Sequence, residues 1–285
     1  GRIGLGNIDP SPGYSVESIE DSLKVLKETL APSIIGLDAF NIHELLIAMN
    51  KKVDHFYDAK AAMEMACTDL ICRKLDIPVY TYLGGQVVDS LLFNAWIGIL
   101  PPDEAAAEAK KWFDKGFRSA KVKVGGNIHA DRDRIAAIRA AVGPSMKLRA
   151  DANAGYSVED AIALGKLLEP FDMQLFEQPV HADDLVGMAK VRQAVGIPVM
   201  ADESIVDHES LIAVIKHDAA DIVKLKVMKQ GGFLNARRML ETASAAGLKV
   251  VIGHGFGLGF AIRQDQGMCW VPGSTNDAMW AGVWG

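Results

Sequence analysis

Five side chains able to hold or move charge recur along the middle of this 285-residue chain: Lys123, Asp151, Glu177, Asp202 and Lys226, at intervals of 28, 26, 25 and 24 residues. Each lies at the end of a short apolar run: Ala120-Lys-Val-Lys-Val124, Lys147-Leu-Arg-Ala-Asp151, Met173-Gln-Leu-Phe-Glu177, Pro198-Val-Met-Ala-Asp202 and Asp221-Ile-Val-Lys-Leu-Lys226. Asp151, Glu177 and Asp202, if gathered together, make an all-oxygen, net negative cluster. With water and substrate completing the shell, such a cluster suits Mg2+, with Mn2+ as a substitute, better than a closed calcium cage. No cysteine or histidine is placed to make it a zinc site. Lys121 and Lys123 are two apart on a strand and so share a face. Two ammonium groups on one face repel, each easing loss of the other's proton, and a lysine lowered toward neutrality serves as a general base. The plainer reading is three acids capping helix N-termini and a charged stripe on an edge strand.

The interval is that of a strand, a helix and two short loops. Repetition of that unit makes a parallel sheet, and a sheet closing on itself puts every strand's C-terminal end on one rim. In an eight-stranded barrel Lys226, four strands beyond Lys123, stands across the mouth with the acids between. That arrangement fits removal of a proton next to a carboxylate, with the metal taking the enolate charge and a base on either side of the carbon. Lys224 shares the Lys226 face and is read as a structural or pKa-tuning residue.

Helical patterns are expected over 18–30, 43–53 and 59–75, the last with a small-residue face built on Ala61, Ala62 and Ala66. From residue 91 strands and helices alternate, the helices punctuated by Gly116, Gly143, Gly196 and Gly247 and one of them opened by Ser157 with Asp160. Seven strands are countable, the last over 248–252. These patterns predict a partial α+β capping domain over 1–86, a (β/α) barrel of TIM type with seven to eight strands over 87–259, and an atypical tail over 260–285.

Net charge is −6, with 49% hydrophobic and 23% charged residues. This balance argues against nucleic acid, and no apolar run is long enough for a membrane span. Three cysteines without metal spacing point to free thiols in a reducing, cytoplasmic setting. No signal peptide is visible, and the opening at Gly1 without methionine leads one to expect natural sequence ahead of it.

The sequence resembles the enolase superfamily, muconate-lactonizing subgroup. The resemblance is carried by Tyr14-Ser-Val-Glu17, Leu83-Gly-Gly85, Lys121-Val-Lys123, Asp151-Ala-Asn153, Glu177-Gln-Pro179, Ala201-Asp-Glu-Ser204, and Lys226 followed by Met228-Lys-Gln-Gly-Gly232. It implies Asp151, Glu177 and Asp202 as Mg2+ ligands, Lys123 and Lys226 as the acid/base pair, Lys121 as the residue lowering the Lys123 pKa, and Asn153 and Glu203 as supports behind them. His254 stands where the mandelate-racemase branch carries a catalytic histidine. That branch lacks a lysine at the Lys226 position, so His254 is read as pocket lining or core. The implied activity is Mg2+-dependent proton abstraction alpha to a small-molecule carboxylate, by a racemase/epimerase or a cycloisomerase, expected as a homo-oligomer. Measured against that family, the chain is expected to lack the first strands of the cap before Gly1 and to depart from the family's pattern after Gly259. Three alternatives stay open: a dehydratase of the same superfamily, a Schiff-base aldolase with Lys123 or Lys226 as nucleophile, and a non-catalytic truncated copy.

Overall fold

A computed structural model describes residues 3–10, 15–86, 89–90, 92–253 and the backbone of 282–284. The chain forms two compact units. One draws on Gly1–Leu91 and Lys226–Arg238, the other on Leu92–Leu225 and Met239–Gly253.

The first unit is helical. Helix α1 (Ile19–Val25) runs through a wider turn at Leu26–Leu30 into α2 (Ala31–Ile34), and α3 (Ile42–Asn50), α4 (Tyr57–Leu75) and α5 (Val79–Tyr82) follow. Side chains of Ser18 and Asn41 cap α1 and α3 by accepting backbone N–H groups three residues on. The small residues of α4 do what their size allows: Ala59, Ala61 and Ala62 are buried, and the extended segment 3–10 lies directly against the helix backbone. A Cβ added at Gly4 or Gly6 would sit 2.0 Å from the carbonyl oxygens of Ala66 or Ala62, so the approach requires glycine. Two carboxylates that accept backbone N–H groups complete the unit. Glu17 accepts the N–H groups of Asp58 and Ala59 at the first turn of α4, at 2.9 and 3.2 Å. Glu64 accepts those of Phe233 and Leu234 at 2.9 and 3.3 Å.

The second unit is the repeating one. Strands β1 (Ala95–Ile97), β2 (Ser119–Lys123), β3 (Lys147–Asp151), β4 (Met173–Glu177), β5 (Val199–Ala201), β6 (Ile222–Leu225) and β7 (Lys249–Ile252) are parallel, each paired to the next. Helices α6 (Pro102–Asp114), α7 (Ile128–Val142), α8 (Val158–Leu168), α9 (Leu185–Ala194) and α10 (His208–Lys216) alternate with them, followed by α11 (Phe233–Ala245), whose start through Arg238 counts with the first unit. This is the (β/α) architecture expected, with β2 inside the sheet and not at its edge. An eighth strand, β8 (Gly282–Trp284), joins β7 antiparallel, and among the described residues β1 and β8 are not paired with each other. Leu175, Met200, Ile222 and Val251 on four neighbouring strands form one apolar cluster. Burying each contributes about 1.5–3 kcal/mol.

Local expectations held unevenly. Ser157 caps α8 through the Asp160 N–H. Gly116, Gly143 and Gly247 take positive φ at helix ends. Gly196 does not: α9 closes on an extended Val195, and the Gly196 N–H donates to Glu169 at 2.8 Å. The alternation expected from residue 91 opens with a strand of three residues, Ala95–Ile97. His254, Tyr14 and residues 260–281 lie outside the described residues.

Candidate active site

Strand register alone brings the charged residues to one face. Lys123 stands opposite Asp151 and Asp151 opposite Glu177. Glu177 stands opposite Met200 and Met200 opposite Ile222. Residues opposite each other share a face, and the face recurs every second residue. Asp202 and Lys224, each two positions beyond those partners, therefore return to the side that carries Glu177. Lys121, two before Lys123, belongs to the same row.

The side chains meet accordingly. Asp151, Glu177 and Asp202 are all but sealed from solvent, at 0%, 1% and 0% exposure. Asp151 Oδ2 receives Lys121 Nζ at 2.7 Å and Lys123 Nζ at 2.9 Å. Lys121 also stands 3.7 Å from Glu177 Oε1. From the other side Lys224 Nζ approaches Glu177 Oε1 at 2.6 Å and Asp202 Oδ2 at 3.3 Å. Three carboxylates and three ammonium groups thus alternate in one row, the carboxylates and Lys224 buried and Lys121 and Lys123 partly exposed, as paired charge away from water demands. Burial pushes the Asp151 carboxyl up, but the ammonium groups of Lys121, Lys123 and Lys224 outweigh it and hold the group well below the usual carboxylate range. Glu177 goes the other way, pushed up by burial and by the negative charge of Asp151.

Behind this row stand residues that fix it. Asn153, in the left-handed region at φ 44°, accepts from Lys123 Nζ at 2.6 Å and donates to Glu203 Oε1 at 2.9 Å. Gln178 is fully buried with φ 38°. Its Oε1 accepts the N–H groups of Asp202 and Ser204 at 3.0 and 3.2 Å, and its Nε2 donates to Ser204 Oγ and the Val180 carbonyl. It ties the end of β4 to the end of β5. The loop after β2 is held by Asp131, which accepts from Tyr156 and from the N–H groups of Gly125 and Gly126. Arg134 pairs with Asp131 and donates to the Lys123 carbonyl at 3.2 Å. Arg149 is buried on β3, donates to Gln174 at 2.6 Å, and is drawn down by burial to about 10.

Gln178, Asp131, Arg134, Tyr156 and Arg149 were not singled out from sequence. Arg149 carried a signal, its place two residues before Asp151 on the same run. Gln178 sat unassigned inside Glu177-Gln-Pro179. The Asp131–Tyr156 link spans 25 residues with no local pattern to announce it.

Lys226, the residue after β6, is 2% exposed and belongs to the first unit. Its N–H donates to the Gln230 side chain. Lys226 and Lys229 both lie near enough to Asp58 to oppose the burial that raises the Asp58 carboxyl to about 6.

Among the described residues no three His, Cys, Asp or Glu side chains are drawn together as a ready metal cage. The donor chemistry still fits a hard divalent ion: three buried carboxylates on one face of successive strands, with no sulfur or imidazole among them. In the row as it stands, ammonium groups occupy the oxygens such an ion would take. No described helix is long and apolar enough to cross a membrane, and the described cysteines, Cys67 and Cys72, are free.

Two family models match the chain: "Mandelate racemase / muconate lactonizing enzyme, N-terminal domain" over residues 1–84 and "Enolase C-terminal domain-like" over 104–283. The second continues past Gly259, beyond which no resemblance to the family was expected. N-succinyl-L-Arg/Lys racemase of Bacillus cereus is 35% identical over 255 residues, covering 89% of this chain and 69% of that protein. A solved dipeptide epimerase from Enterococcus faecalis V583, complexed with Mg and the dipeptide L-Leu-L-Tyr, superposes with TM-score 0.85 at 35% identity, over 89% of this chain and 71% of that one. Muconate cycloisomerase from Pseudomonas fluorescens gives TM-score 0.81 at 31% identity, over 87% and 70%. Strand order, the run of charged residues at the strand ends and these matches agree, and the chain belongs to the mandelate racemase/muconate lactonizing enzyme family of the enolase superfamily.

Proposed function

We propose that the protein is a racemase or epimerase that removes and returns the proton on the carbon alpha to a carboxylate. The observation that carries this reading is the buried row Lys123–Asp151–Glu177–Asp202, with a lysine amine lodged at its start and a second strand-end lysine, Lys226, later in the chain. In support, relatives at about this distance are named as racemases and epimerases of N-succinyl amino acids and dipeptides.

In this mechanism Lys123 accepts the α-proton on one face of the substrate and Lys226 delivers a proton to the other; reversal of roles runs the opposite enantiomer. Asn153 holds the Lys123 amine through its side-chain oxygen and is itself held by Glu203. Lys121 shares Asp151 Oδ2 with Lys123 and so fixes where both amines sit. Asp151, Glu177 and Asp202 would hold Mg2+, which supplies Lewis-acid stabilisation of the negative charge that develops on the substrate carboxylate. Burial of these groups keeps water from quenching the deprotonated carbon.

The test is a panel of dipeptides and N-succinyl amino acids, with cis,cis-muconate as the cycloisomerase control, followed by polarimetry and NMR. Stereochemical inversion lost on EDTA treatment and restored by Mg2+ is the expected result. Turnover of muconate alone, or activity indifferent to EDTA, would overturn the assignment. Borohydride trapping of a lysine with a carbonyl substrate would instead establish the aldolase chemistry.

A further inference from the structure

We infer that Lys224 is an internal counter-cation that competes with the divalent ion for Glu177 and Asp202, and so sets how tightly this chain holds its metal. The inference rests on the reading of those two carboxylates as ligands and goes beyond it, because it concerns a side chain that neither binds metal nor moves the substrate proton.

Three observations carry it. Lys224 Nζ is 2.6 Å from Glu177 Oε1 and 3.3 Å from Asp202 Oδ2, two carboxylates at the ends of neighbouring strands that are read as ligands. The lysine is itself 4% exposed, so its charge cannot be screened by turning outward to water. Its stem has a built path: a Cβ at Gly253 would lie 2.4 Å from Lys224 Cε and 3.0 Å from Cγ, so the glycine after β7 leaves the room the lysine fills. Gly253 is in turn fixed to β6, its N–H donating to the Leu225 carbonyl at 2.7 Å.

Charge counting gives the consequence. With Lys121 and Lys123 on Asp151 and Lys224 on the other two acids, three negative charges meet three positive ones without any ion present. For Glu177 and Asp202 to hold a divalent cation, the Lys224 amine would have to leave those oxygens while its charge stayed nearby. Lys121 also reaches Glu177, at 3.7 Å, but its close partner is Asp151; Lys224 is the amine that joins Glu177 to Asp202. Removing the Lys224 charge takes away the amine that lies on both Glu177 and Asp202, which favours a cation there and penalises the empty state.

The test is titration of Mn2+ into the full chain, read by electron paramagnetic resonance of the free ion and by calorimetry, for wild type, Lys224→Met and Lys224→Gln. Methionine keeps the stem and removes the charge; glutamine keeps a hydrogen-bond donor as well. Far-UV circular dichroism and thermal melting with and without Mn2+ accompany each titration. Both variants are expected to bind Mn2+ more tightly, by on the order of tenfold or more, as loss of one like charge a few ångström from a divalent cation requires at the effective dielectric of a protein site. Both are also expected to melt lower than wild type without metal and to gain more in Tm when it is added. If Lys224→Met does not fold without metal but folds with Mn2+, the inference is supported through the melting readout alone. Wild type binding Mn2+ as tightly as both folded variants overturns the role of Lys224 and leaves the metal reading standing. Absence of Mn2+ binding by wild type and both variants overturns the metal reading itself, and the inference with it.

Discussion

At the residue scale, the charged row is held by groups that do not belong to it. Gln178 is the clearest. Its side-chain oxygen takes the backbone N–H of Asp202 and of Ser204, and both donors are buried. Gln178→Ala is therefore expected to cost about 3 kcal/mol in urea unfolding, the penalty for leaving buried donors without an acceptor. It is also expected to lower kcat more than it raises KM, because it frees the strand end that carries Asp202 without altering what surrounds the substrate. An unfolding midpoint equal to that of wild type would show that the β4–β5 link is not rigid. This residue lay in plain sight inside a quoted motif, but sequence offered no way to see its two backbone partners, 24 and 26 residues away. The charged row was legible for a physical reason: a two-residue strand period and a constant strand-helix interval fix face and rim together. The Asp131–Arg134–Tyr156 support was not, because it is made across loops by side chains with no periodic constraint.

At the element scale, Glu64 of α4 receives the first N–H groups of α11 and is buried in doing so. Burial is the larger influence and raises its carboxyl to about 7, against the two backbone hydrogen bonds that lower it. A carboxyl with a raised folded-state pKa binds more protons folded than unfolded. Its stabilising contribution is therefore complete below its unfolded value of 4.5 and is lost as pH rises through about 7. Asp58, raised to about 6 by burial, adds a slope of the same sign. Glu64→Gln keeps an acceptor but cannot titrate, so subtracting its unfolding free energy from that of wild type cancels Asp58. The difference is expected to move by up to about 3 kcal/mol between pH 4.5 and 8, to the relative advantage of Gln at pH 8. A pH-independent difference would show that Glu64 is ionised in the fold throughout. Here too the sequence was partly readable: the small-residue face of α4 announced close packing, but which segments packed on it was not in the pattern. Gly4 and Gly6 lie against its backbone, while the glycine expected to stop α9 hydrogen-bonds to Glu169 instead.

At the scale of the whole molecule, a parallel sheet collects at its C-terminal edge residues that are distant along the chain. Seven such strands and their helices were countable from alternation and turn residues. The eighth, running antiparallel, falls outside that strand–helix alternation and was not. The central claim is that two lysines serve the two faces of one carbon. Its most direct test is solvent deuterium exchange at the α-carbon, measured separately for each enantiomer of an active substrate with Lys123→Ala and with Lys226→Ala. Each variant is expected to lose racemisation by 10²-fold or more, on the order of what general-base catalysis contributes. Each is also expected to retain exchange of one enantiomer only, the opposite one in the two variants. Exchange of both enantiomers by either single variant, or of the same enantiomer by both, would contradict the two-base mechanism.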